Sequence, residues 1–134
     1  MNHSEINLAV ARLIRQTLLL PDEIEISPRQ LLFYDLNFTS LDFLDLLFRI
    51  EEKFHISIPE GTIYGLARGD MEDHLFAQDG LLTPEGRRNL ANLLSDTPPE
   101  IFPDEVHVST LPRYCTVSAI VRLVTHLLGE QIHV

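Results

Sequence analysis

A single cysteine, Cys115, leaves the chain without any intrachain disulfide. Tryptophan is absent, and no run approaches the ~18 apolar residues of a membrane span. Positive charge is scarce: ten Lys and Arg stand against twenty Asp and Glu, a net charge of −10. Such a surface repels nucleic-acid phosphates and anionic membranes, so no nucleic-acid partner and no membrane insertion are expected; it favours basic protein partners. MNHSEINLAV, at the N-terminus, has neither a basic start nor an apolar core, so no signal peptide is expected. Strand alternation, internal repeats and low-complexity tracts are not found. What remains is a 134-residue chain, 45% hydrophobic, expected to be one cytoplasmic domain over residues 1–134.

Catalytic signatures are equally thin. Glycine-rich phosphate loops are missing, as is the Gly-flanked serine of a strand-to-helix elbow. Of the histidines His3, His55, His74, His107, His126 and His133, none pairs with another or with Cys115 at metal-ligand spacing, so surface or packing roles are expected and no metal site. DMEDHLFAQDGLLTPEG has the composition of a calcium loop but not its alternating oxygen ligands. Cys115 precedes a helix, where the dipole favours thiolate, yet no His–Asn context accompanies it, and buried cysteines are usually inert. No catalytic residue is assigned, and the protein is not read as an enzyme.

What is present is helical periodicity. Ser4 is a candidate cap for a first helix, with Glu5 in its first turn and Ile6, Val10, Leu13, Ile14 and Thr17 on its inner face to about Leu20. Pro21 and the acids after it stop that helix. Residues 21–38 read as a loop, with one short turn in SPRQLLF headed by Ser27 and Pro28. A second helix follows Thr39, with Asp42 completing an approximate capping box and SIPEG at 57–61 closing the element. Its inner face carries Phe43, Leu46, Leu47, Ile50 and Phe54. The last helix is capped by Thr116, runs through Val117, Ile120, Val121, Val124, Leu127 and Leu128, and is expected to stop at Gly129. Between them, residues 62–77 suggest short helical pieces broken at Gly65 and Gly69. LTPEGRRNLANLLSD suggests a helix capped by Thr83 with Pro84 first and Glu85 next. Residues 95–112, with four of the eight prolines, suggest an irregular connection.

Ser40 stands out. A serine at a helix start is ordinarily a cap, but Thr39 is available for that and leaves Ser40 free. Beside it Leu41 and Phe48 fall on the outer face among Asp42, Asp45, Glu51 and Glu52. Burial of such side chains is worth ~1.5–3 kcal/mol each. An apolar spot ringed by carboxylates therefore suggests a docking surface. The alternative is that residues 62–112 fold back and cover it.

FYDLNFTSLDFLDLLFRIEEKFHISIP resembles the central motif of acyl carrier proteins. The matching positions are Phe33, Asp35, Leu36, Ser40, Leu41, Asp42, Glu51, Glu52, Phe54, Ile56, Ile58 and Pro59, without a gap. YCTVSAIVRLV resembles the family's last helix. The likeness covers residues 4–60 and 114–129 and leaves an insertion at 62–112, as in specialised bacterial carriers elaborated before the last helix. Two smaller departures are Thr39, where the family usually has Asp, and Asn37, where Gly is frequent and Asn tolerates positive φ.

The resemblance implies an all-α, antiparallel acyl-carrier-type bundle with an added helical insertion. It implies that Ser40 bears a 4′-phosphopantetheine arm installed by a phosphopantetheinyl transferase, and that the arm holds acyl groups as thioesters. Its partners would be acyl-chain synthesising and transferring enzymes with basic docking patches, in a specialised fatty-acid or lipid pathway. Leu41, Asp42, Asp45, Phe48, Glu51 and Glu52 would form the docking face. Phe43, Leu46, Leu47, Ile50, Val117, Ile120 and Val124 would line the acyl cavity. A carrier of polyketide or aminoacyl groups, or an unmodified interaction module of the same fold, are the alternatives. The insertion, with Leu90, Leu93 and Leu94 at helical spacing, is expected to lie against the helix after Ser40 and the cavity mouth, and not to be needed for the bundle itself.

Overall fold

Three amphipathic helices carry the bundle in the computed structural model, which describes residues 1–132. They are α1 (His3–Leu18), α2 (Ser40–Phe54) and α6 (Val117–Ile132). His133 lies outside the described residues. Between α2 and α6 come α3 (Thr62–Arg68), α4 (Asp73–Phe76), a hairpin of β1 (Ala77–Gln78) and β2 (Leu81–Leu82), α5 (Pro84–Leu93), and 3-10 turns at Pro99–Ile101 and Val108–Tyr114. The all-α class holds, with one small hairpin added.

The first helix is capped by Asn2 and not by Ser4. Asn2 Oδ1 accepts from the Glu5 amide at 2.9 Å, and Glu5 reaches back to the Asn2 amide, so the acid in the first turn selects the residue three before it. Leu19, at φ 56°, ends α1 before Pro21 is reached. Ile6, Val10, Leu13 and Ile14 are buried as the periodicity predicts. Met1 and Ile6 share a cleft with Phe54, Thr125 and Leu128, so the start of α1 meets the ends of α2 and α6. Ser57 and Gln131 exchange two hydrogen bonds of 2.8 Å at that same end. Hence α2 and α6 run parallel to each other and antiparallel to α1.

At the opposite end the loop before α2 is bound to the start of α6. Leu31 pairs antiparallel with Thr116, the Leu32 amide donates to the Cys115 carbonyl at 3.2 Å, and the amides of Val117 and Ser118 donate to the carbonyls of Gln30 and Pro28 at 2.9 Å. The turn at Ser27 forms as expected, its amide bound to Gln30 Oε1.

The insertion differs from its sequence reading in three ways. Gly65 sits inside α3, and only Gly69 ends a helix. Asp79 and Gly80, both at positive φ, make the tight turn of the β1–β2 hairpin, an Asp-Gly signal that the apolar counting passed over. Its position is also not the expected one. The insertion packs α3 and α4 on α5 and sets Leu93 and Leu94 against α6, leaving the outer face of α2 uncovered. Ala67, Phe76, Leu82, Leu90, Leu94, Val106 and Leu111 join the same buried cluster as α1, α2 and α6. The flanking helices alone therefore do not complete the core: Ala119 and Leu123 of α6 are covered from the insertion side. Gly129 lies within α6, which continues to Ile132; the cost of one interior glycine, about 1 kcal/mol, is outweighed by the apolar face that α6 buries.

Asp96 latches the insertion to α6. It accepts from Thr116 Oγ1 at 2.8 Å and from both guanidinium nitrogens of Arg122, at 3.0 and 3.3 Å. Burial pushes its carboxyl up, but the hydrogen bonds from Arg122 and Thr116 and the guanidinium charge outweigh this and hold it below the ordinary value. A depressed folded-state pKa contributes stability above the unfolded value of about 3.9, and loses it as pH falls through that range. Thr116→Val should therefore lower the urea-unfolding free energy at neutral pH by about 1–3 kcal/mol. Asp96→Asn should also be destabilised at neutral pH, and its gap to the wild type should narrow as pH falls. A gap independent of pH would contradict the latch.

Candidate functional site

Local interactions in residues 31–39 set the position of Ser40. Asp35 Oδ2 accepts from the Leu31 amide at 2.7 Å, and the Asp35 and Leu36 amides return to the Leu31 carbonyl. Phe33 packs its ring between Phe38 and Phe43, with centroids 6.3 and 6.0 Å away. Asn37 takes φ 57°, the conformation for which Gly or Asn is suited. The Phe38 amide donates to the Leu32 carbonyl at 3.0 Å, so the chain entering α2 is tied to a residue that is itself bound to Cys115.

Thr39 then caps α2. Its Oγ1 accepts from the Asp42 amide at 3.1 Å, and Asp42 Oδ2 accepts from the Thr39 amide at 2.8 Å. Ser40 occupies the first helical position, exposed, and among the described residues nothing hydrogen-bonds its hydroxyl. A phosphoryl group on that oxygen would sit at the positive end of a 15-residue helix, which favours negative charge. The exposed hydroxyl and the helix end thus fit a phosphate ester.

The acids on α2 divide their duties. Asp42 is engaged in the capping box. Asp45 pairs with Arg49 at 3.1 Å. Glu51 accepts from the Ile58 amide at 2.8 Å and fastens the chain leaving the helix. Glu52 is exposed and has no such partner among the described residues. Leu41 and Phe48 remain open to solvent at 77% and 65%, and Leu44, at 50%, completes a stripe with them. Leu44 was missed in the sequence, although three residues after Leu41 and four before Phe48 is the spacing of one helix face. Tyr34, in the preceding loop, is also exposed.

The seven residues expected around an acyl cavity lie inside the protein. Phe43, Leu46, Ile50, Val117, Ile120 and Val124 are buried and Leu47 is half-buried. Of these, only Ile120 borders the apolar cavity of about 210 Å³ that opens between the insertion and α6. Cys115 borders it too. Burial pushes its thiol up to about 12, which removes it from nucleophilic chemistry near neutral pH.

With the geometry in place, residues 9–68 match the family model for the phosphopantetheine attachment site. This segment is similar to phosphopantetheine-attachment domains, consistent with the acyl carrier family. Such a carrier domain takes 4′-phosphopantetheine covalently on a serine. The match runs from within α1 to the end of α3, so most of the insertion and all of α6 lie beyond it. No curated protein and no solved structure matched the chain. Within the carrier domain the serines are Ser27, Ser40 and Ser57. Ser27 Oγ accepts from the Arg29 amide in the turn, and Ser57 follows α2, bound through its backbone to Gln131. Ser40 alone of the three opens a helix. Because Thr39 does the capping, Thr39→Ala should lower stability by about 1 kcal/mol. Ser40→Ala should stay within about 0.5 kcal/mol of wild type. Thermal unfolding of the two variants checks this, and the reverse order would show that Ser40 is the structural residue.

Proposed function

We propose that Ser40 carries the 4′-phosphopantetheine group and that the protein holds acyl intermediates as thioesters for partner enzymes, without catalysing a reaction itself. The observation that carries this is the exposed Ser40 hydroxyl at the first position of α2, within the attachment domain and relieved of capping by Thr39. The group supplies a thiol on which a carboxylic acid is kept both activated and tethered. What this chain supplies is the placement. The bonds at Asp35 and Phe38 aim the serine outward, and the helix end stabilises the negative phosphodiester.

The face beside Ser40 is the proposed docking surface. Leu41, Leu44 and Phe48 offer apolar area, and Glu52 with the half-paired Asp45 offers negative charge. Asp42 and Glu51, occupied in holding the backbone, contribute field more than direct contact. A transferase and acyl-handling enzymes with basic patches fit this surface in a cytoplasmic setting, and the fatty-acid or lipid class of acyl group is the leading assignment.

Incubation with coenzyme A and a broad-specificity phosphopantetheinyl transferase tests the reading by intact mass. Wild type should gain one phosphopantetheine and Ser40→Ala none. A wild type that stays unmodified would indicate an interaction module of the same fold. Glu52→Lys should slow modification roughly tenfold at low salt, with the difference shrinking as salt rises. A rate indifferent to both changes would move the docking surface elsewhere.

A further inference from the structure

Apolar space near the start of α6 is left on its insertion side, and a second cleft, at the far ends of α2 and α6, lies away from Ser40. Leu46, Ile50 and Val124 are fully buried and do not border the cavity of about 210 Å³. That cavity is walled by Ile63 and Leu66 of α3, Leu93 and Leu94 at the end of α5, and Ala119 and Leu123 of α6. Apolar cavities of ~150 Å³ lined by such residues hold a benzene-sized ligand, so this one has room for an alkyl chain. Its polar wall members are Arg122, turned to Asp96, and His126, whose Nε2 lies 3.2 Å from a Glu130 carboxylate oxygen. Both are exposed, so the polar groups stand at the mouth and not inside.

The cavity lies at the same end of the bundle as Ser40. Cys115 borders it, the Cys115 carbonyl accepts from the Leu32 amide, and the Leu32 carbonyl accepts from the Phe38 amide, two residues before Ser40. We propose that the insertion-side cavity, and not the interior between α2 and α6, receives the alkyl part of the acyl group carried on Ser40. This rests on the carrier reading above. It gives the insertion a chemical task. Four of the seven aliphatic wall residues come from residues 62–94, so the insertion sets the shape of the space and with it the preferred chain. Ala119 is the smallest of these wall residues, and a larger side chain there would fill the cavity.

The test uses the full-length protein, modified on Ser40 as checked by intact mass and loaded with acetyl or octanoyl groups. Methyl NMR of the octanoyl form should show shifts at Ile63, Leu66, Leu93 and Leu123 that the acetyl form lacks. The octanoyl thioester should be cleaved by hydroxylamine roughly tenfold more slowly than the acetyl thioester, since burying a few methylenes is enough for that protection. Ala119→Phe should abolish both effects while leaving modification intact. The wild-type shift map stands by itself if that variant does not fold. Shifts confined to Leu46, Ile50 and Val124, or no chain-dependent shifts at all, would overturn the assignment. Failure of wild type to acquire the mass increment would instead overturn the carrier reading beneath it.

Discussion

A hydroxyl with no access to solvent, Thr116 Oγ1, joins three parts of the chain. It accepts from the Ala119 amide and so starts α6; it donates to Asp96 and so holds the insertion. The backbone of the same residue pairs with Leu31, next to the bonds that fix the loop before α2. A buried hydroxyl left unpaired would be destabilising by several kcal/mol at most and about 1 kcal/mol at least. Here both its donor and its acceptor capacities are used. The position of Ser40 follows from this junction, because Leu32 connects Cys115 on one side to Phe38 on the other.

Beyond that junction, α2 is built so that its structural and recognition features do not compete. Capping is given to Thr39, and closure of the helix exit to Glu51, which leaves Ser40 and Glu52 unengaged among the described residues. The exposed Leu41, Leu44 and Phe48 forgo about 1.5–3 kcal/mol each of burial in the isolated protein. That loss is recovered if a partner covers the stripe. The insertion does not cover it, having been drawn to α6 by the Asp96 latch and by the packing of Leu93 and Leu94.

Legibility in the sequence followed the range of the interactions. Contacts within one helical turn were readable: Thr39 with Asp42, Thr83 with Pro84, and the inner face of α2 all appear as periodicity and composition predict. The carrier fold was implied by the resemblance of the central motif, Phe33 to Pro59, to acyl carrier proteins. Where two local signals compete, geometry and tertiary burial decide between them. Ser4 adjoins the acid, but a capping box needs its partners three positions apart, which selects Asn2. Gly129 looked like a stop, yet tertiary burial of α6 overrode its propensity. The Asp79–Gly80 turn is a local signal too: an Asp-Gly pair with both residues at positive φ suits a two-residue hairpin. The latch of Asp96 with Thr116 and Arg122, and the cavity walled from α3, α5 and α6, depend on residues 20 to 60 positions apart. No local pattern marks such pairs.

These relations make the junction at Thr116 a rigid platform and not a loop that happens to pass near a helix. Native-state hydrogen exchange measures this directly. The amides of Leu32, Val117 and Ser118 should open only with a free energy close to that of the α6 interior, as read from Val121 and Val124. If Leu32 and Val117 instead exchange like unprotected loop amides while Val121 and Val124 stay closed, the loop before α2 is not held by α6, and the account of how Ser40 is positioned fails.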